Sequence, residues 1–195
     1  MQLTIEINLP ADRTKTGTLA LKDPITGQAL FGPVPVLGRA ARNTAKANGN
    51  AAADPLLPFG DTPTGGYGIA NIVANGPGTT RPIEVYGQSG SIVLDPQSGD
   101  ALQAKQNGRV GLLIHSGRHA YSAIVGPQAL KPTNGCIRIL DWHLGQLIEV
   151  IRKNSLLFPG RVIVQIGGPD GVQGDIDETV SDGDPPSTSG PVVVP

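Results

Sequence analysis

Polar and apolar positions alternate at the start of the chain. In Met1-Gln2-Leu3-Thr4-Ile5-Glu6-Ile7-Asn8-Leu9 every second residue is apolar, the period of a strand with one buried face. Residues 17–23 alternate again through Leu19 and Leu21, and Asp23-Pro24-Ile25-Thr26-Gly27 has the residues of a turn, so an antiparallel hairpin or meander is expected. Residues 61–72 read as a strand that Pro63 and the paired glycines 65 and 66 allow to bend. Residues 83–87 and 91–94 read as two more strands, and 95–99 as a turn. A buried strand over 110–115 ends on His115, a short strand carries Ile137 and Ile139, and 161–166 supplies a closing strand. One helix stands out, from a capping Asp141 to Asn154, with Leu144, Leu147, Ile148 and Ile151 on one face; these and Trp142 are assigned to the core. The pattern predicts a mostly β domain with minor α, a sandwich or curled mixed sheet.

Two stretches lack a period. Residues 38–58 are rich in Ala and Asn with little apolar bulk, and are expected to form a mobile surface loop with at most one helical turn, a plain insertion more than a lid. Residues 116–132 are expected to arch as a loop over a cleft. From residue 169 to 195 the chain is acidic and rich in Pro, Gly and Ser, which predicts a disordered tail after a domain over 1–168.

Composition changes this picture little. The chain has 195 residues, 38% of them hydrophobic, enough for one domain with a core. Its 27 glycines and 18 prolines fit a turn-rich β protein. A net charge of -1 with no basic patch argues against a nucleic-acid partner, and no apolar run is long enough to span a bilayer.

The candidate chemistry is a thiol beside an imidazole. Cys136 is the single cysteine, in Thr133-Asn134-Gly135-Cys136-Ile137-Arg138, and His115 closes the run Leu112-Leu113-Ile114. A cysteine becomes a useful nucleophile near neutrality when a base or cation favours its thiolate. His115 is the candidate base, with the hydroxyl or carbonyl of Ser116 to orient it. Gly135 leaves room for a carbonyl substrate and for main-chain N–H groups aimed at an oxyanion. Arg138 shares the face of Cys136 in an extended segment, where it could raise thiolate character or hold a substrate carboxylate.

These residues resemble the active-site signature of the YkuD-type L,D-transpeptidases: His-Ser-Gly at 115–117, then Thr-x-Gly-Cys-Ile-Arg at 133–138. Thr62-Pro63-Thr64-Gly65-Gly66-Tyr67-Gly68-Ile69 is similar to a segment that precedes that signature in the family. The resemblance covers roughly residues 17–166. It implies Cys136 as the acyl-accepting nucleophile, His115 as the base, Ser116 as its orienting residue and Gly135 as part of the oxyanion loop. Arg138, Asn134, Thr133 and Tyr67 are assigned to substrate binding. It further implies peptidoglycan stem peptides as substrate, and no metal or organic cofactor. One departure is Asn134 where many members have histidine; an amide cannot carry a proton, so any acid-base role there is lost.

His115 and His119 have metal-like spacing, with Cys136 as a third ligand, but Ser116-Gly117 disfavours a helix and the glutamate of a zinc protease motif is missing. His119 and His143 are read as surface or structural residues. A papain-type order would place the cysteine first. A binding module of the same fold is the alternative, with Asn134 as its best support. Residues 1–9 look like a strand rather than a signal peptide, yet the implied substrate lies outside the cytoplasmic membrane. Two expectations therefore stand: an antibacterial effector injected into the periplasm by a contact-dependent system such as type VI secretion, with a partner immunity protein, or a chain whose leader has been removed, with a lean to the first.

Overall fold

The alternating start is realised as β1 (Thr4–Leu9), in which Ile5, Ile7 and Leu9 are buried and Thr4, Glu6 and Asn8 half-buried. A strand with side chains of period two presents one apolar face, which must be covered. In the computed structural model, which describes residues 3–117 and 130–154 and the backbone of 161–166, a curled mixed sheet covers it. The elements are β1, β2 (Gly17–Lys22), β3 (Ala29–Leu37), α1 (Arg42–Ala47), β4 (Gly65–Val73), α2 (Ile83–Tyr86), β5 (Ser91–Ser98), α3 (Gly99–Gln106), β6 (Leu113–His115), β7 (Ile137–Ile139), α4 (Asp141–Asn154) and β8 (Arg161–Ile166). The protein is mostly β with minor α.

The strands run β1-β2-β3-β7-β6-β5-β4-β8, and β8 returns to β1, so the sheet closes on itself. β1 pairs in parallel with β8, and β6 in parallel with β7; the other neighbours are antiparallel. Closure leaves no edge strand among the described residues. Ile5, Ile7, Leu19, Leu21, Ile92, Ile114, Ile137 and Ile139 form one core cluster with Leu144, Leu147, Ile148 and Ile151 of α4. Each such side chain contributes roughly 1.5–3 kcal/mol by burial.

Several segments depart from the pattern reading. Residues 83–86 form the single turn α2 rather than a strand. Pro82, at φ -58, leads into the turn and Gly87, at φ 79, leaves it, while Ile83 stays 40% exposed. β5 continues through Asp95 and Pro96 to Ser98 where a turn was expected, pairing along β4 with a register shift. α3 follows; its inward residues are Ala101 and Ala104, too small to stand out as an apolar period. β6 is shorter than 110–115, and Val110 is exposed. Trp142 is not core but 45% exposed, edge-on to His143 with ring centroids 5.0 Å apart.

The Ala- and Asn-rich segment, read as a surface loop with little to bury, is packed. α1 and the turns after it bury Ala40, Ala45 and Ala53 against Phe59. Asn50 ties the loop together: its Nδ2 donates to Asp54 O (3.0 Å) and Pro58 O (3.1 Å), and its Oδ1 accepts from Asp54 N (2.8 Å). The expected arch lies almost wholly, and the tail wholly, outside the described residues, as does His119. No helix among the described residues is long and apolar enough to cross a membrane.

Candidate active site

The parallel pair β6 and β7 brings the two candidate segments together. Their register sets Ile114 opposite Ile137 and His115 opposite Arg138. Ile114 and Ile137 belong to the core, so His115 and Arg138 take the other face, and Cys136, two residues before Arg138, comes to that same side. Cys136 is half-buried, and its Sγ donates to Gly111 O at 3.6 Å.

His115 is 3% exposed, its ring 5.0 Å from that of Tyr86. Nδ1 lies 2.7 Å from Ser116 O. A carbonyl can only accept, so Nδ1 carries the proton and Nε2 keeps its lone pair, the tautomer of a general base. Burial pushes the imidazole down to about 3, the Arg138 charge pushes the same way, and the Ser116 carbonyl opposes them. The ring is neutral at pH 7.

Ser116 holds the imidazole through its carbonyl; its hydroxyl goes elsewhere. Oγ donates to Asp141 Oδ1, and the same carboxylate receives Ser89 N (3.2 Å) and Ser89 Oγ (2.9 Å). Gly87 makes this possible, because a Cβ there would overlap both Ser116 Oγ and Asp141 Oδ1. Asp141 thus starts α4 and also anchors the loop that holds His115.

Arg138 does not lie open to a substrate carboxylate. It is 1% exposed and donates to Ser116 O (2.6 Å), Gly117 O (2.8 Å), Val85 O (3.3 Å), Lys131 O (3.3 Å) and Pro132 O (3.5 Å). Strand spacing gave its face, but loop carbonyls cover that face. Tyr67 likewise belongs to the core: it is 0% exposed, its hydroxyl donates to Pro63 O (2.7 Å), and burial holds that hydroxyl in its neutral form.

Thr133 shapes the cysteine loop. Its Oγ1 accepts from Gly135 N (3.0 Å) and donates to Cys136 O (2.9 Å). The Gly135 N–H is thereby committed within the loop and not aimed at an oxyanion. Gly135 has φ 101, and a Cβ on it would overlap Arg109 Nη2 and Gly60 O; the space the glycine leaves is filled by Arg109. Asn134 is half-buried, with Oδ1 buried and unpartnered. Thr62 joins the two segments picked out in the sequence: its Oγ1 donates to Gly135 O (2.9 Å) and lies 3.3 Å from Cys136 O.

Sequence reasoning missed Arg109 and the anchoring role of Asp141 and Ser89. Arg109 stands just before the apolar run 110–114, a lone cation whose position was the only available signal. No group of three or more His, Cys, Asp or Glu among the described residues is arranged to hold a metal. A cavity opens beside Ser116, lined by Ser89, Asp141, Trp142 and Leu130 among others, and its lining includes neither Cys136 nor His115.

The sequence matches no protein-family model and no curated protein. Among solved structures, the fold is similar to the helical cell shape determining protein Pgp2 from Campylobacter jejuni, at 14% identity and a TM-score of 0.40, over 88% of this chain and 51% of that one. The chain thus spans about half the length of that protein, and a likeness of this size bears on neither family nor function.

Proposed function

We propose that this chain is a cysteine L,D-transpeptidase acting on peptidoglycan stem tetrapeptides. The observation that supports the reading is the β6–β7 register, which brings a half-buried Cys136 and a neutral His115 to one side of the sheet, the imidazole fixed through Nδ1 by the Ser116 carbonyl. In the reaction, Cys136 Sγ attacks the amide carbonyl that precedes the terminal D-alanine. His115 Nε2 takes the thiol proton and returns it to the departing amine of D-alanine, leaving an acyl thioester on Cys136. A stem amine resolves the thioester into a 3-3 cross-link, water gives L,D-carboxypeptidase activity, and a free D-amino acid gives exchange. The site of action is the periplasm or cell wall; delivery as an injected toxin with a cognate immunity protein belongs to the same proposal.

A second reading has its own support. The Gly135 N–H is occupied by Thr133 and Asn134 replaces a proton-carrying residue, both consistent with a module that holds wall peptides without turnover. One experiment separates the two: disaccharide-tetrapeptide muropeptides incubated with the protein and with Cys136→Ala, followed by mass spectrometry. The transpeptidase requires Cys136-dependent dimers lacking one D-alanine, or tripeptides if water is the acceptor. Unchanged muropeptides together with measurable binding would give the site to the second reading. His115→Ala is expected to slow thioester formation by about 10²–10⁴.

A further inference from the structure

Arg109 has no part in the reaction just described, yet it is built into the cysteine loop. It is 3% exposed, and five main-chain carbonyls enclose its guanidinium. Nη1 donates to Pro55 O (2.6 Å), Asp61 O (2.9 Å) and Leu57 O (3.2 Å), and Nη2 to Gly60 O (2.7 Å) and Gly135 O (3.2 Å). All five acceptors are neutral, so these contacts solvate the cation without cancelling its charge. Gly135 immediately precedes Cys136, and Gly111, whose carbonyl meets the Sγ, is two residues after Arg109. The guanidinium therefore sits against the loop that carries the sulfur, in a buried setting where charge is poorly screened.

The other positive candidates are placed differently. His115 is neutral, so no imidazolium faces the resting sulfur, and Arg138, which keeps its charge among neutral carbonyls, is turned to residues 116 and 117 beside His115. Of the remaining charged or titratable groups nearby, Asp61 is held by Arg42 (3.0 Å) and by Ala40 N (2.7 Å), and Asp54 accepts from Leu56 N (2.8 Å). The Tyr67 hydroxyl stays neutral, and Arg13 lies beyond Thr62, donating to its carbonyl at 3.2 Å.

We propose that Arg109 is the positioning residue of the nucleophile: its guanidinium fixes the Gly135–Cys136 turn and supplies the positive charge that a Cys136 thiolate faces. The inference rests on Cys136 as the nucleophile, but its test does not use the proposed reaction.

Because Cys136 is the single cysteine, its alkylation by iodoacetamide across a pH series, read by intact mass, reports its ionisation directly. The native chain should show an inflection at least one pH unit below the ordinary thiol value of about 8.5. Arg109→Lys keeps the charge and should hold the inflection within about half a unit, whereas Arg109→Gln should raise it by about a unit, a tenfold loss of thiolate near neutrality. Lys153→Gln, which removes an exposed charge on α4, should leave it unmoved. A native inflection at or above about 8.5 overturns the proposal without any variant. So does a common inflection in the Gln and Lys variants, and should the Gln variant not fold, a Lys variant titrating as an ordinary thiol overturns it alone. A lowered, Arg109-dependent inflection in a chain that leaves muropeptides untouched would retire the transpeptidase and keep this inference. Turnover with an ordinary thiol would do the reverse.

Discussion

Two buried arginines flank the Cys136–His115 pair and differ in what they hold. Arg138 is on β7 and gathers the loop after His115, through Ser116 O and Gly117 O. Arg109 follows α3 and gathers residues 55–61 and Gly135. One cation is next to the His115 imidazole and disfavours its protonation; the other bonds the loop that carries Cys136 and, on the inference above, favours ionisation of its sulfur. In the proposed reaction, the same side chain, bonded to the same kind of acceptor, has opposite effects on the two groups that exchange a proton. What an arginine does here depends on its nearest titratable group, not on its hydrogen bonds.

The comparison can be broken most severely by Arg138→Leu. This change leaves several buried carbonyls without donors and should cost about 3 kcal/mol or more of stability, read as a lowered midpoint in urea. Next in size is the pH dependence set by His115. Its folded pKa, about 3, lies below the ordinary value of 6.5, so between those limits the unfolded chain binds a proton that the folded chain does not. Stability should therefore rise with pH across that window by up to about 1.4 kcal/mol per unit, level off above it, and be lost as the pH falls. Urea midpoints measured from pH 4 to 7 should show this slope, and His115→Asn should flatten it; an unchanged slope would mean that another group sets it. Smaller still is Asp141→Ala, which frees Ser116 Oγ and Ser89 and should cost about 1–2 kcal/mol while leaving the cysteine titration in place. Lys153→Ala removes only an exposed i,i+4 pair with Glu149, 2.7 Å long, and should move the urea midpoint least of all.

The sequence was legible where burial follows a period. β1, β2, β7, β8 and α4, and the first half of β5, stand where the apolar pattern puts them. Residues 83–86 did not, because Pro82 and Gly87 confine them to a single turn despite alternating Ile83 and Val85. Residues 38–58 looked too poor in apolar bulk to pack, yet alanines suffice where Asn50 satisfies the backbone of the loop. At the site, His115, Ser116 and Cys136 could be singled out by residue type and order, and the carbonyl of Ser116 was among the orienting groups expected. That Arg138, Tyr67 and Thr133 are buried was not legible, because spacing gives the face of a residue but not what covers it. Arg109 left no trace because its partners are main-chain carbonyls, which every residue has.

The closed strand order also has a consequence for how the chain folds. Thr4 of β1 pairs with Arg161 of β8, and β8 simultaneously completes the pairing of β4 through Gly65 and Val164. During synthesis the first strands must wait for nearly the whole domain before this last staple arrives. Contacts so distant in sequence are slow to form, and until they do the edges of β1 and β4 remain open to other chains. The residues that assemble Cys136 and His115 emerge from the ribosome before that closure. A nascent chain stalled short of β8 would hold every part of the candidate site in a sheet that is still unsealed.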